Sequence, residues 1–451
     1  MEKAYKGLRL LEKWILTGLF SGVFLLAALL PCKAQEIKII SDEETEQFLA
    51  EIIKPLFDAA GIRFYRNNIF IVEDNSLNAF VADGNRLFVH TGTIIKADNV
   101  DELSGVLAHE TGHIMGGHIL RQKIKHQEMY EVSLVSAILA GTAAALTGRG
   151  DAAMAIMLGG QSSVLNHYTK YRTEEERSAD EAAVKLLQKT KQSPEGILKF
   201  MKKIKKENAL SGREETSYFR THPVTNERIA FFEKACRDLP YRIKTKNDKF
   251  ERIKAKLKAY LQPPKTTLNE YALKKNDIVT QYAQAIAYMK QLNFAKALDK
   301  MNSLLEAEPD NPFFYELKGQ ILLETGKIIE AKKCFAKAYE LLPNSHLMQI
   351  NYAQVLLEDN PSKSEAKLAI QLLNKALIYS KNGFALMLLA KAYGTIGDMA
   401  AANYISAEYS LKIGNLGAAR KQLEQAEKHN PSKQLKLKID DLKQRLKNID
   451  N

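Results

Sequence analysis

Histidine is scarce in this chain, nine among 451 residues, yet the stretch VLAHETGHIMGGH at 106–118 holds three of them together with one glutamate. His109, Glu110 and His113 form H-E-x-x-H. Side chains four apart on an α-helix stand on one face, about one turn from each other. His109 and His113 can therefore each offer a ring nitrogen to one ion. Glu110 lies about 100° round the helix from His109, able to reach a water on that ion without ligating. This is what zinc hydrolysis needs: the ion lowers the pKa of a water toward ~7, and the carboxylate takes its proton. The bland alternative is a chance match to a short motif.

A catalytic zinc takes three protein ligands and keeps one position open. His118 falls one residue early for the longer H-E-x-x-H-x-x-G-x-x-H pattern, which places Ile119 at the third histidine. In a continued helix His118 lies about 180° from His109 and faces away; only a break at Gly116-Gly117 would turn it back. The better third ligand lies in YRTEEERSADEAAVKLLQ, 171–188, where Ala179, Ala182, Ala183, Leu186 and Leu187 form an apolar stripe. Glu176 and Asp180 border that stripe one turn apart. A carboxylate beside buried surface is costly unless paired or metal-bound. Glu176 as ligand, with Asp180 bonding the far nitrogen of a ligand histidine, satisfies both. Glu174 and Glu175 read as solvated, and the alternative for the whole run is an exposed acidic face. In RTHPVTNER, 220–228, His222 is a candidate to stabilise an oxyanion or to occupy the fourth position and close the site. Arg228 is a candidate to neutralise carboxylates or grip substrate backbone. The alternative is a surface histidine at a turn.

The elements that must position these residues are legible in outline. Asp98 or Asn99 can cap a helix running through Leu103, Val106, Leu107, Thr111 and Ile114. FVADGNRLFVHTG alternates apolar and polar residues around Gly84-Asn85, a hairpin signal, and an edge strand there could pair with an extended substrate or simply support the core. The apolar, Ala- and Gly-rich segment 133–165 is split by Arg149 and Asp151 into pieces too short to span a bilayer, and reads as a helical hairpin beside the cleft.

Four segments in order, NAFVADGNRLFVHTG (78–92), AHETGH (108–113), EERSAD (175–180) and THPVTNERI (221–229), resemble the HtpX and CAAX prenyl protease superfamily of zinc metallopeptidases. More narrowly they resemble its periplasmic BepA-like members, which carry tetratricopeptide repeats behind the protease. The resemblance implies one Zn2+ per chain on His109, His113 and Glu176, with Glu110 as general base, the family's aspartate at Asp180, and a gating or inhibitory role for His222. It implies cleavage of unfolded or stalled envelope proteins, outer-membrane barrels among them, and as partners unfolded or misassembled envelope proteins and components of outer-membrane barrel assembly. One departure is Ser178, where the family usually has a second glutamate.

Composition excludes a disordered chain: 45% of residues are hydrophobic and 26% charged. Lys3, Lys6, Arg9 and Lys13 precede an uncharged run from Trp14 to Cys32, and Cys32-Lys33-Ala34 offers tolerably small residues to a signal peptidase. The expectation is a signal peptide over 1–34 and a periplasmic mature chain, with an uncleaved anchor as the alternative. After cleavage only Cys236 and Cys334 remain, and no bridge is expected between them. The net charge of +12 gathers in 199–206, 241–275 and 433–448. In an exported protein this suggests peripheral membrane contact or acidic substrate segments and no nucleic acid; a solvated linker and tail is the plain alternative.

QPPKTT at 262–267 marks a boundary. Beyond it Ala297, Ala331 and Ala419 each have a proline twelve residues later, and the first two are 34 residues apart. That is the tetratricopeptide period. The expected fold is mainly α: a zincin-type metallopeptidase domain with a small sheet at 35–262, a linker at 263–275, an α-solenoid of about four helical pairs at 276–432 that recruits clients, and a basic tail at 433–451. The expected activity is zinc-dependent endopeptidase. The rival reading is a chaperone or assembly scaffold with a largely closed metal site.

Overall fold

A computed structural model describes residues 38–82, 85–118, 120–122, 124, 127, 172–211, 222–239, 247–379 and 382–450. The expected signal peptide and the segment 133–165 lie outside the described residues. Four strands, β1 (Ile39–Ile40), β2 (Ile69–Val72), β3 (Ala79–Ala82) and β4 (Arg86–His90), form one sheet in the order β1-β2-β4-β3. β2 and β4 run parallel, with Ile71 opposite Val89, while β3 returns antiparallel on β4 with Phe80 opposite Phe88. β3 and β4 pair antiparallel up to Ala82 and Arg86, and Asn85 takes the left-handed conformation at φ 58°; Gly84 of the expected hairpin turn lies outside the described residues. Alternation does the sorting: Ile69, Ile71, Leu87 and Val89 turn into the core. Phe70, Phe88 and Phe80 stack as a ladder on the other face, with centroids 4.9 and 4.8 Å apart.

Helix α1 (Glu43–Ala60) and α2 (Thr91–Lys96) flank the sheet. α3 (Val100–Met115) carries the H-E-x-x-H motif and lies beside β3, the edge strand. Asn99 caps it, accepting from the Glu102 N–H at 3.0 Å. Every side chain from Asp101 to His113 is buried, so this is a central helix enclosed on all sides. It is covered by α4 (172–189), α5 (Glu195–Ser211) and α6 (Asn226–Asp238). Two close approaches seat it. A Cβ on Gly105 would lie 2.6 Å from the Ile197 backbone nitrogen of α5, and one on Gly112 would lie 2.7 Å from the Ala179 carbonyl of α4. Any larger residue at Gly112 would push α4, with Glu176 and Asp180, away from the histidines.

Helix α7 (Asp248–Leu261) joins the two halves. Its Phe250, Ile253 and Leu257 belong to the peptidase core, while Ala255 and Ala259 pack with Tyr271 of the next helix and Tyr282 of the first repeat. Polar contacts reinforce the joint: Glu44 accepts from Arg252 Nε at 2.7 Å, Lys256 Nζ at 3.2 Å and the Tyr282 hydroxyl at 3.2 Å. The segment expected as a linker contains a helix, α8 (Pro264–Tyr271), with Pro264 in its first turn, where a missing N–H costs nothing.

The repeats follow as α9 (Ile278–Lys290), α10 (Phe294–Ala307), α11 (Pro312–Glu324), α12 (Ile328–Leu341), α13 (His346–Leu356), α14 (Lys363–Tyr379), α15 (Gly383–Ile396), α16 (Met399–Lys412), α17 (Leu416–Lys428) and α18 (Lys433–Asp450), each packed on the next. Ala297, Ala331 and Ala419 are fully buried at the crossings where small residues were expected. The residues expected as a basic tail include α18, an amphipathic helix whose Ile439, Leu442 and Leu446 bury into the last repeat core. Cys334 is a buried free thiol.

The repeat turns share one device. α11 and α16 are followed by left-handed Gly326 (φ 74°) and Gly414 (φ 76°), and the N–H three residues past each helix returns to a carbonyl five back: Lys327 to Leu322 at 2.9 Å, Asn415 to Ser410 at 2.8 Å. α9 makes the same bond, Asn293 to Tyr288 at 2.9 Å, but its left-handed residue is Leu292 at φ 58°. That side chain is 71% exposed, so it gains little packing for its strain. Leu292→Gly is expected to stabilise the chain by about 1 kcal/mol, read as a higher urea midpoint at unchanged slope.

Candidate metal centre

α3 supplies His109, Glu110 and His113; α4 supplies Glu176 and Asp180; the turn leading into α6 supplies His222, and α6 itself supplies Arg228. Each of the seven is buried. Ligand atoms of His109, His113, Glu176 and His222 all lie within 4.8 Å of one another. His109 Nε2 stands 3.1 Å from His113 Nε2 and 3.3 Å from Glu176 Oε2. Glu176 Oε1 lies 3.4 Å from His113 Nε2 and 2.9 Å from His222 Nδ1. The structure thus brings together residues 67 positions apart in sequence, the two motif histidines with the expected carboxylate, and adds His222 to them.

Asp180 occupies the place expected of it, with Oδ1 2.9 Å from His109 Nδ1. That contact turns the Nε2 lone pair of His109 inward. Arg228 lies against carboxylates of its own chain. Its Nε and Nη2 hold Asp180 at 2.7 and 2.8 Å, and Nη1 reaches Glu176 Oε2 at 2.8 Å and the Pro223 carbonyl at 2.8 Å. One guanidinium therefore ties α4 to the turn carrying His222.

Two expectations need correction. His118 does not face away. The chain leaves α3 at Gly116-Gly117, with Gly117 at φ 63°, and the buried His118 ring returns to His113, Nδ1 to Nδ1 at 2.8 Å. The glycine pair was the available sign. Glu175 is not solvated either; it is buried and accepts from Gln122 Nε2 at 2.9 Å, a contact that nothing local in the sequence indicates. Glu174 is exposed, as expected.

The electrostatics favour a cation. Burial opposes charge on Glu176, yet His222, His109 and His113 hold it well below the usual carboxylate range. Asp180 is likewise lowered against its burial, by Arg228 and His109. Burial works against a charged His109, but Asp180 and Glu176 outweigh it and raise the ring to about 9. Burial keeps His113 and His118 neutral, down to about 3 and about 4. Glu110 is pushed up by burial, and neither of its oxygens has a hydrogen-bond partner among the described residues. Imidazole nitrogens with one carboxylate oxygen are a donor set suited to zinc, and Glu110 sits unsatisfied at its side.

Arg228 neutralises two buried carboxylates, so Arg228→Gln is expected to destabilise the protein by ~3–5 kcal/mol at neutral pH. A depressed carboxylate contributes stability that is full above its unfolded pKa and fades as pH falls through the folded one. The difference between wild type and variant, measured by urea unfolding, should therefore shrink below about pH 4.

Comparison with known proteins agrees with this architecture. Residues 43–235 match the family model described as Peptidase family M48. The beta-barrel assembly-enhancing protease of Escherichia coli K12 is 23% identical over 380 residues, covering 78% of this chain and 76% of the relative. Its counterpart in Yersinia pestis is 21% identical over 338 residues, covering 73% and 68%. Among solved structures, MamA 41-end from Desulfovibrio magneticus RS-1 aligns with 38% of this chain and 97% of its own, at 16% identity and a TM-score of 0.31. Residues 43–235 thus form a domain similar to peptidase family M48, a likeness that supports a metalloprotease, with helical repeats behind it.

Proposed function

We propose that this chain is a zinc endopeptidase of envelope protein quality control, acting in the periplasm on misfolded or stalled exported proteins. The observation that carries the reading is the convergence of four buried donor side chains around one point, with the unsatisfied Glu110 carboxylate beside them. His109, His113 and Glu176 would hold the metal. When bound, it supplies Lewis acidity to a water and to the scissile carbonyl. Glu110, kept receptive to a proton by burial, takes one from the water and delivers it to the departing amine nitrogen. Arg228 and Asp180 keep Glu176 and His109 aimed during that exchange.

Strand β3 supports a peptide substrate. It is the sheet edge next to α3, and its outer side pairs with no strand among the described residues. An extended chain adding there would use backbone hydrogen bonds and so need no particular sequence, which suits unfolded clients. The names of the two enterobacterial relatives point to outer-membrane barrel assembly, and the N-terminal signal pattern to export.

His222 favours a second mode of the same site. Its Nδ1 lies among the donor atoms and its Nε2 3.6 Å from Glu110 Oε1, where it would take the position that water needs. A resting enzyme closed in this way would scaffold clients and cleave only when His222 withdraws.

Casein digestion should be abolished by a chelator and restored by zinc. Glu110→Gln should lose at least ~100-fold in rate while retaining its metal. His222→Ala should retain metal and cleave faster than wild type. Chelator-resistant digestion, or an active Glu110→Gln, overturns the catalytic reading. Full function of Glu110→Gln in cells would assign the biological role to scaffolding.

A further inference from the structure

The turn after α3 holds a group that the site described above does not use. His118 is 1% exposed, and its Nδ1 lies 2.8 Å from His113 Nδ1. His113 points its other nitrogen inward, with Nε2 3.1 Å from His109 Nε2 and 3.4 Å from Glu176 Oε1. A neutral imidazole carries one N–H. If Nε2 offers its lone pair to a metal, the proton sits on Nδ1, and the atom facing that proton must accept. His118 Nδ1 is that atom.

We propose that His118 is a positioning residue for the metal centre: it accepts the Nδ1 proton of His113 and thereby fixes the ring and tautomer that present Nε2 to the ion. The inference rests on the metal-binding reading of His109, His113 and Glu176. It gives each α3 histidine its own outer partner, Asp180 for His109 and His118 for His113.

The local chain is built for this contact. Gly116 keeps right-handed helical torsions (φ −69°, ψ −13°), and Gly117 at φ 63° reverses the path, bringing His118 back over the end of α3. The ring fills the space above Gly116: a Cβ there would stand 2.1 Å from His118 Nε2 and 2.6 Å from Cδ2. Four residues on, Gln122 donates to Glu175, the neighbour of Glu176. The short segment after the glycines thus touches both ligand-bearing helices.

The test is zinc affinity of the full chain, measured by competition with a chromophoric chelator, with the cobalt(II) absorption spectrum as a report on ligand geometry. His118→Phe keeps the bulk and removes the acceptor; it should weaken zinc by ~10–100-fold, whereas His118→Gln, which can still accept, should stay within about threefold of wild type. Gly116→Ala is the independent arm. Its backbone tolerates alanine, yet the new methyl displaces the His118 ring, so affinity should fall and the cobalt spectrum change with His118 still present. That variant also decides the matter if His118→Phe folds poorly. Wild-type affinity in both His118→Phe and Gly116→Ala overturns the proposal, as does a loss in His118→Gln equal to that in His118→Phe. His109→Ala separates the two levels: if it binds zinc as tightly as wild type, the metal site itself is misassigned.

Discussion

The structure turns on the distance between two helices. α3 and α4 cross so closely at Gly112 and Ala179 that no side chain fits between them. This contact brings Glu176 and Asp180 against His109 and His113. It also buries four ionisable groups together, where unpaired charge is costly. Arg228 offsets part of that cost by binding both carboxylates at once, and so its turn and helix become part of the site's wall. His222 reaches the donor cluster because it sits on that turn. The site is a consequence of burying acid and imidazole together and neutralising them from one side only, which leaves a preference for positive charge at the centre.

The same economy explains why the peptidase and the repeats are not two beads on a string. α7 contributes one face to the peptidase core and another to the first repeat core, and Glu44 of α1 bonds to residues on α7 and α9. A joint packed on both faces and bridged by ion pairs fixes the first repeats to the peptidase core.

Reading the residues in order anticipated much of this, for identifiable reasons. Histidines four apart on an amphipathic pattern can only share a face, so the metal pair was legible before any fold was known. Small residues at a 34-residue spacing require helices that cross closely, and Ala297 and Ala331 lie at such crossings. Other features were illegible. Extending α3 past its glycines as an ideal helix put His118 on the wrong side, because one left-handed residue redirects everything after it. Glu175 read as solvated because seven consecutive polar residues, 172–178, carry no sign of which one a distant glutamine will meet.

What the sequence determined alone is therefore what depends on short range: which residue types recur at helical spacing, where helices can start and stop, and that two imidazoles and a carboxylate share one turn of α3. Tertiary structure decided what Arg228 grips, that a distant glutamine meets Glu175, and how closely Glu176 and His222 are carried to the α3 histidines. Those outcomes depend on burial and on separations of about 3 Å between residues far apart along the chain. Such separations are set by the packing of whole helices, and no local pattern encodes them.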